Sequence, residues 1–191
     1  MQSHSAASGS YFGNQFLVAM PSMEDEHFNQ SVTLLCEHNP EGALGLIVNR
    51  PTELTLSTML QHMGLDHIAM IGDPPIYWGG PVQPERGFVL HDQAGDWETT
   101  LPVNETLFMT SSRDILAAIG QGAGPANFMV ALGYAGWTAG QLESEILGNS
   151  WLNTPVDQAI LFHTPAVDRW QAASRLLGLD IHNLAGRAGH A

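Results

Sequence analysis

A chain of 191 residues with 44% hydrophobic and only 13% charged residues has the make-up of one folded domain with a buried core, which excludes a disordered chain. Its 19 acids against 6 bases, every base an arginine, give a formal net charge of −13 at pH 7, a sign that repels nucleic acid and anionic membrane surfaces. Arg50, Arg86, Arg113, Arg169, Arg175 and Arg187 are too scattered to form the clustered cationic face that a duplex binder needs, so direct DNA binding is disfavoured.

Residues 1–10 are polar and lack both the basic and the apolar segments of a secretory leader, so they read as a flexible arm. No run of 18 apolar residues occurs anywhere, which leaves no candidate membrane-spanning helix. The single cysteine, Cys36, rules out an intrachain disulfide and suits the reducing cytoplasm.

Asn14–Ala19 reads as the first strand, followed by Ser31–Glu37 and Ala43–Asn49, which the turn Asn39-Pro40-Glu41-Gly42 joins as a hairpin. Along the second strand Val32, Leu34 and Cys36 share one face, with Thr33, Leu35 and Glu37 on the other. Leu56, Met59, Leu60 and Met63 recur at helical spacing between an N-cap at Thr55 and a stop at Gly64. Ile76-Tyr77-Trp78 reads as the end of an aromatic strand before Gly79-Gly80-Pro81.

Arg86–His91, Trp97–Leu101 and Thr106–Thr110 read as further strands, and Ser112 opens a short helix over Arg113–Ile119. Asn127–Tyr134 is almost wholly apolar at its centre and reads as the central strand. Thr138 and Gln141 have the spacing of a capping box at the start of a helix that ends at Gly148. Ala159–Phe162 reads as a last strand. Thr164-Pro165 then opens a helix that turns Val167, Trp170 and Leu177 inward and stops at Gly178. Strands dominate, helices intervene irregularly, and the strict alternation of a parallel α/β sheet is missing. The fold class is therefore α+β, one domain over 11–179, with a frayed tail over 180–191.

No catalytic constellation stands out. Cys36 is the one soft nucleophile, and His38, two residues on, would share its strand face as a Cys–His pair. A free cysteine beside Val32 and Leu34 is equally the mark of a buried core residue. Cys36, His38, His27, His91 and Glu37 have no recognised zinc spacing, so neither a metal nor a cofactor is expected. Gly79-Gly80 and Gly120-Gln121-Gly122-Ala123-Gly124 lack the context of a phosphate loop and read as tight turns or close backbone approaches. An anion has two candidate helix N-termini, at Thr110–Asp114 and at Thr138–Gln141. Glu143 and Glu145 lie two apart on a helix, point in different directions and read as a solvated face.

Ordered blocks along the chain carry a resemblance. Phe16-Leu17-Val18-Ala19-Met20-Pro21-Ser22 comes first, then Ser31 to Asn39 with Gly42 to Pro51. Gly79 to Val82 with Arg86 to His91 follows, then Thr110 to Asp114, Gly133 to Trp137 and Gly140 to Glu143, with Trp151 closing. Together they resemble the AlgH/YqgE family of bacterial proteins from about Tyr11 to Phe162. The resemblance implies an α+β domain with a bifurcated pseudo-barrel sheet; taken with the readings above, the expectation is a largely antiparallel sheet and about four flanking helices. The resemblance also implies the label of transcriptional regulator, and it carries over no catalytic residues. Positions shared with the family, Cys36, Asn49, Arg50, Gly79, Gly80, Arg113, Tyr134, Trp137 and Glu143, are candidates for a ligand site or for shared turns and core. The leading expectation is a non-enzymatic regulatory or interaction domain that acts through a protein partner or a small anionic ligand. The alternative is an enzyme acting on a small anionic metabolite near Cys36, Arg50 and Arg113.

Overall fold

The computed structural model describes residues 11–68, 72–180 and 183. The expected N-terminal arm lies outside the described residues, as does most of the expected frayed tail.

One strand organises the rest. β9 (Phe128–Thr138) pairs on one flank with β6 (Val82–His91), antiparallel from His91 opposite Phe128 to Gly87 opposite Leu132. Its other flank is shared by two strands in succession. β5 (Pro75–Trp78) runs parallel beside Ala131 and Leu132, and β3 (Gly42–Ile47) runs antiparallel beside Ala135 to Thr138. The sheet forks at this point. One arm continues through β2 (Val32–Asn39), β1 (Gln15–Ala19) and β10 (Trp151–Pro155), and β4 (Pro51–Thr55) pairs β5. Beyond β6 lie β8 (Phe108–Thr110) and β7 (Thr100–Pro102). The expected bifurcated, largely antiparallel α+β domain is what the chain forms, with ten strands and five α-helices among the described residues.

Glycine makes the fork possible. A Cβ on Gly79 would lie 2.3 Å from the Gly133 carbonyl oxygen, and one on Gly80 (φ 153°) would lie 2.1 Å from the Tyr134 carbonyl carbon. Gly133 itself has φ 74°. Three glycines thus let two backbones touch where the sheet divides. Gly79-Gly80 is a close backbone approach, with no room left for a phosphate.

Alternation along the strands builds cores on both faces of the sheet. Phe16, Val18, Leu34, Cys36, Leu46 and Leu90 pack with Ile160, Leu161 and Ala173 of α4 (Gln158–His163) and α5 (Arg169–Leu176). Val89, Val130 and Ile76 pack under α1 (Leu56–His62) and α2 (Arg113–Gly120). Leu17, Ala19, Leu35 and Ala135 pack with Leu142 of α3 (Gln141–Leu147).

Several local expectations need correction. Ala159–Phe162 is helical: Asp157 caps α4 by accepting from the Ala159 N–H at 2.8 Å, and Ile160 and Leu161 both turn inward. A four-residue apolar run has no period to separate helix from strand, and the cap decides it. Thr164 ends α4, a 3₁₀ turn over Ala166–Asp168 intervenes, and Val167 is 86% exposed. Trp170 does turn inward, packing on the core and donating to the Ala19 carbonyl at 2.9 Å, and the buried residues of α5 are Arg169, Ala173 and Ser174. Thr138 ends β9, and Gly140 occupies the N-cap position of α3. Half of the capping box survives, since Gln141 Oε1 accepts from the Thr138 N–H at 3.0 Å. Thr55 does cap α1, accepting from the Thr58 N–H, and Gly64 follows with φ 68°. Strands β4 and β10 had no expected counterpart.

Gly80→Ala should cost about 3 kcal/mol or more, because the added methyl meets backbone that cannot move aside. Gly64→Ala, with open space around it, should cost about 1 kcal/mol. Urea unfolding of the two variants would compare them, and equal midpoints would contradict this account of the fork.

Candidate functional site

The C-terminal half of β9 delivers Trp137 to one side of the sheet, and β10 delivers Trp151 beside it, with ring centroids 6.1 Å apart at 77°. Buried indole N–H groups need acceptors. Both find the same one: Glu145 Oε2, on α3, accepts from Trp137 at 2.7 Å and from Trp151 at 3.0 Å. Its other oxygen accepts from Gln141 one helical turn back, at 3.1 Å. Three neutral donors thus hold the carboxylate in place.

Phe28 packs on both indoles, at 5.5 Å from Trp151 and 6.2 Å from Trp137. Its loop is held by two of the expected site residues. Asn49 Oδ1 accepts from the Val32 N–H and Asn49 Nδ2 donates to the Gln30 carbonyl, each at 2.9 Å. Arg50 donates to the Glu26 carbonyl at 3.1 Å and to the Asn29 carbonyl at 2.7 Å, and lies over the Trp78 ring. Together these elements enclose a pocket of about 480 Å³ with Met23, Phe28, Trp137, Trp151 and Glu145 as walls and Glu24 and Asp25 at its edge. Among the described residues no lysine or arginine lines it.

Next to this pocket, His38 and Glu143 are hydrogen-bonded, with Nε2 2.7 Å from Oε1. The Phe12 N–H donates to His38 Nδ1 at 2.8 Å, so the proton of the neutral ring sits on Nε2 and points at Glu143. Phe12 also stacks on the imidazole. The Glu143 carboxyl is held below its ordinary range, first by a hydrogen bond from its own backbone N–H and then by His38. Glu143 and Glu145 do diverge, but the solvated-face reading fails: each carboxylate anchors a different structural contact.

Cys36 and His38 do not pair. The register shifts between Leu35 and Glu37, inserting a residue and inverting the strand beyond it. Cys36 therefore stays with Val32 and Leu34 in one core, while His38 lies opposite Ala43 and reaches Phe12 and Glu143 on the other side. Burial raises the Cys36 thiol far above its ordinary value, the opposite of what a nucleophile needs.

The remaining expected residues serve elsewhere. Gly79, Gly80 and Tyr134 form the sheet fork, with Tyr134 edge-on to Phe88 at 5.9 Å. Arg113 is exposed on α2, donates to the Met63 carbonyl at 2.5 Å and borders a separate cavity beside Met59 and Leu116. Cys36, Arg50 and Arg113 share no hydrogen bond, ring contact or pocket wall among the described residues. The α2 N-terminus already has its own acid, since Asp114 accepts from Ser112 Oγ and from the Glu98 N–H. No group of three metal-ligating side chains occurs among the described residues, and none of their helices is long and apolar enough to cross a membrane.

A family model described as AlgH-like matches residues 16–182. The chain belongs to the AlgH-like family. A UPF0301 protein of Methylococcus capsulatus is 54% identical over 181 residues, covering 94% of this chain and 96% of that relative. A UPF0301 protein of Thioalkalivibrio sulfidiphilus is 54% identical over 182 residues, covering 95% and 98%. The solution structure of the AlgH protein from Pseudomonas aeruginosa superposes over 100% of both chains with a TM-score of 0.78 at 44% identity. A crystal structure of a protein from Corynebacterium diphtheriae covers 93% of each chain with a TM-score of 0.71 at 20% identity, which speaks to the fold alone.

Among the AlgH-like positions singled out by sequence, Trp137 lines the pocket, while Asn49 and Arg50 hold its loop. Glu145, Phe28 and Trp151 complete it. Their signal was present as Gln141 and Glu145 at i, i+4 beside two tryptophans, but which aromatic residues meet is settled only by strand pairing.

Two outcomes follow from this geometry. The native protein should leave a thiol reagent unreacted over the time in which the urea-unfolded chain reacts to completion; equal rates would place Cys36 at the surface. In Glu143→Gln, the stability deficit should be present above the ordinary carboxylate value of about 4.3. It should disappear as pH falls through the lower folded value, because protonation then removes the same charge from the native protein. Unfolding midpoints at stepped pH measure this, and a deficit independent of pH would remove His38–Glu143 as a charged contact.

Proposed function

We propose that this AlgH-like chain is a non-enzymatic interaction domain of the cytoplasm, whose regulatory output runs through a protein partner. The partner presents a basic side chain to the Trp137–Trp151 pocket. The observation that carries this reading is the Glu145 carboxylate, fixed by two indole N–H groups in a pocket that no described base lines. A cation placed there gains a negative charge and aromatic faces together, and a cation–π contact contributes about 0.5–2 kcal/mol depending on how far it is desolvated. Glu24 and Asp25 at the edge add attraction at longer range, in keeping with the net charge of −13. The same charge argues against DNA as the direct target.

The sequestered Cys36 thiol and the separation of Cys36, Arg50 and Arg113 weigh against the alternative of an enzyme built on those three residues. Tryptophan fluorescence should change saturably when the protein is titrated with short arginine- or lysine-containing peptides at low salt. Glu145→Gln, which preserves an acceptor for the indoles, should weaken that binding about tenfold, the equivalent of about 1.4 kcal/mol. Absence of saturable binding by any cationic peptide, or equal binding by the variant, would overturn the proposal.

A further inference from the structure

On the other side of the sheet, at the start of α5, Arg169 is only 5% exposed. Its Nε donates to the Thr164 carbonyl at 2.9 Å, its Nη1 donates to the Val48 carbonyl, and its plane lies over the Tyr77 ring with 5.1 Å to the centroid. All three contacts are neutral. No carboxylate lies within ion-pair distance among the described residues, and Nη2 has no protein acceptor there. Asp168, its neighbour in sequence, is exposed and makes no such contact.

A cation buried without a counter-charge is costly, and this one stands in the first turn of a helix, where the backbone dipole opposes it. An anion beside it would offset the first cost by direct attraction and would itself be favoured by the helix N-terminus. The space for one exists: Arg169 lines a cavity of about 300 Å³, together with Tyr77, Met129, Val130, Leu161 and Phe162. Tyr77 is 9% exposed, and its hydroxyl has no hydrogen-bond partner among the described residues. A single guanidinium, a spare phenol and Asn127 among otherwise apolar side chains match the usual composition of a small-molecule site, with a few polar groups fixing orientation.

We propose that the Arg169 cavity binds a small carboxylic acid, held by its carboxylate on Arg169 and Tyr77 and by an apolar body against Met129, Leu161 and Phe162. One buried cation matches one negative charge, which favours a carboxylate over a phosphate dianion. The site is independent of the Trp137–Trp151 pocket: it shares no lining residue with it and takes a ligand of opposite charge.

The test uses the full chain and phenylacetate and hexanoate as probes, with phenylacetamide as the neutral counterpart and inorganic phosphate as the dianion. Both carboxylates should raise the unfolding midpoint saturably and shift amide resonances of Met129, Leu161 and Phe162, while the amide and phosphate do neither. Tyr77→Phe should weaken phenylacetate binding several-fold and Arg169→Met at least tenfold, whereas Glu145→Gln should leave it unchanged. Retained peptide binding in Arg169→Met would show that this variant is folded. The proposal fails if neither carboxylate binds, if the amide or phosphate binds as well, if the shifted resonances lie elsewhere, or if a folded Arg169→Met binds as the native protein does.

Discussion

The contact on which the molecule depends is backbone against backbone: Gly79 and Gly80 against Gly133 and Tyr134, with a hypothetical Cβ on Gly80 only 2.1 Å from the Tyr134 carbonyl carbon. It allows β5 and β3 to take successive places on the same flank of β9, so one sheet becomes two arms. A side chain at the crossing would hold the arms apart, and β9 could then serve only one of them. Because the arms diverge, both faces of the sheet have apolar surface to cover, which gives α1 and α2, α3, and the α4–α5 pair their separate seats.

The pockets follow from that division. β9 and β10 present Trp137 and Trp151 on the face that α3 covers, and the helix brings Glu145 to the one point that both indole N–H groups reach. On the face covered by α4 and α5, the first residue of α5 is an arginine that reaches inward as far as the Val48 carbonyl. One pocket thus has a fixed negative charge among aromatic rings, and the other a fixed positive charge among apolar side chains. In a protein with a net charge of −13, the second is the more unusual arrangement, since its cation has no acid beside it among the described residues while the chain has acids in excess.

The β2 bulge shows how one inserted residue redistributes chemistry. Without it, Cys36 and His38 would share a face and form a thiol–imidazole pair. With it, the thiol remains in the core and the imidazole is stacked by Phe12 and aimed at Glu143. No feature of the residues from Leu34 to His38 announces the bulge, because it exists only in relation to the partner strand.

What the sequence determined by itself was therefore the local and the aggregate. Apolar runs between turn residues placed β1 and the second half of β6, alternation placed β2, capping chemistry at Thr55 placed α1, charge opposed nucleic acid, and the glycines marked tight turns or a close approach. Family motifs supplied the forked sheet. Tertiary structure alone decided the rest. The run Ala159–Phe162 became a helix through its cap and two inward side chains, and Val167 turned outward because a 3₁₀ turn precedes α5. Asn49 and Arg50 became loop clamps, and Glu145 and Arg169 became the charged centres of two cavities. The physical reason is one of range: propensity, capping and alternation act within a few residues. A site made from residues as distant as Phe28, Trp137 and Trp151, or Tyr77 and Arg169, exists only once strand order and register bring them together.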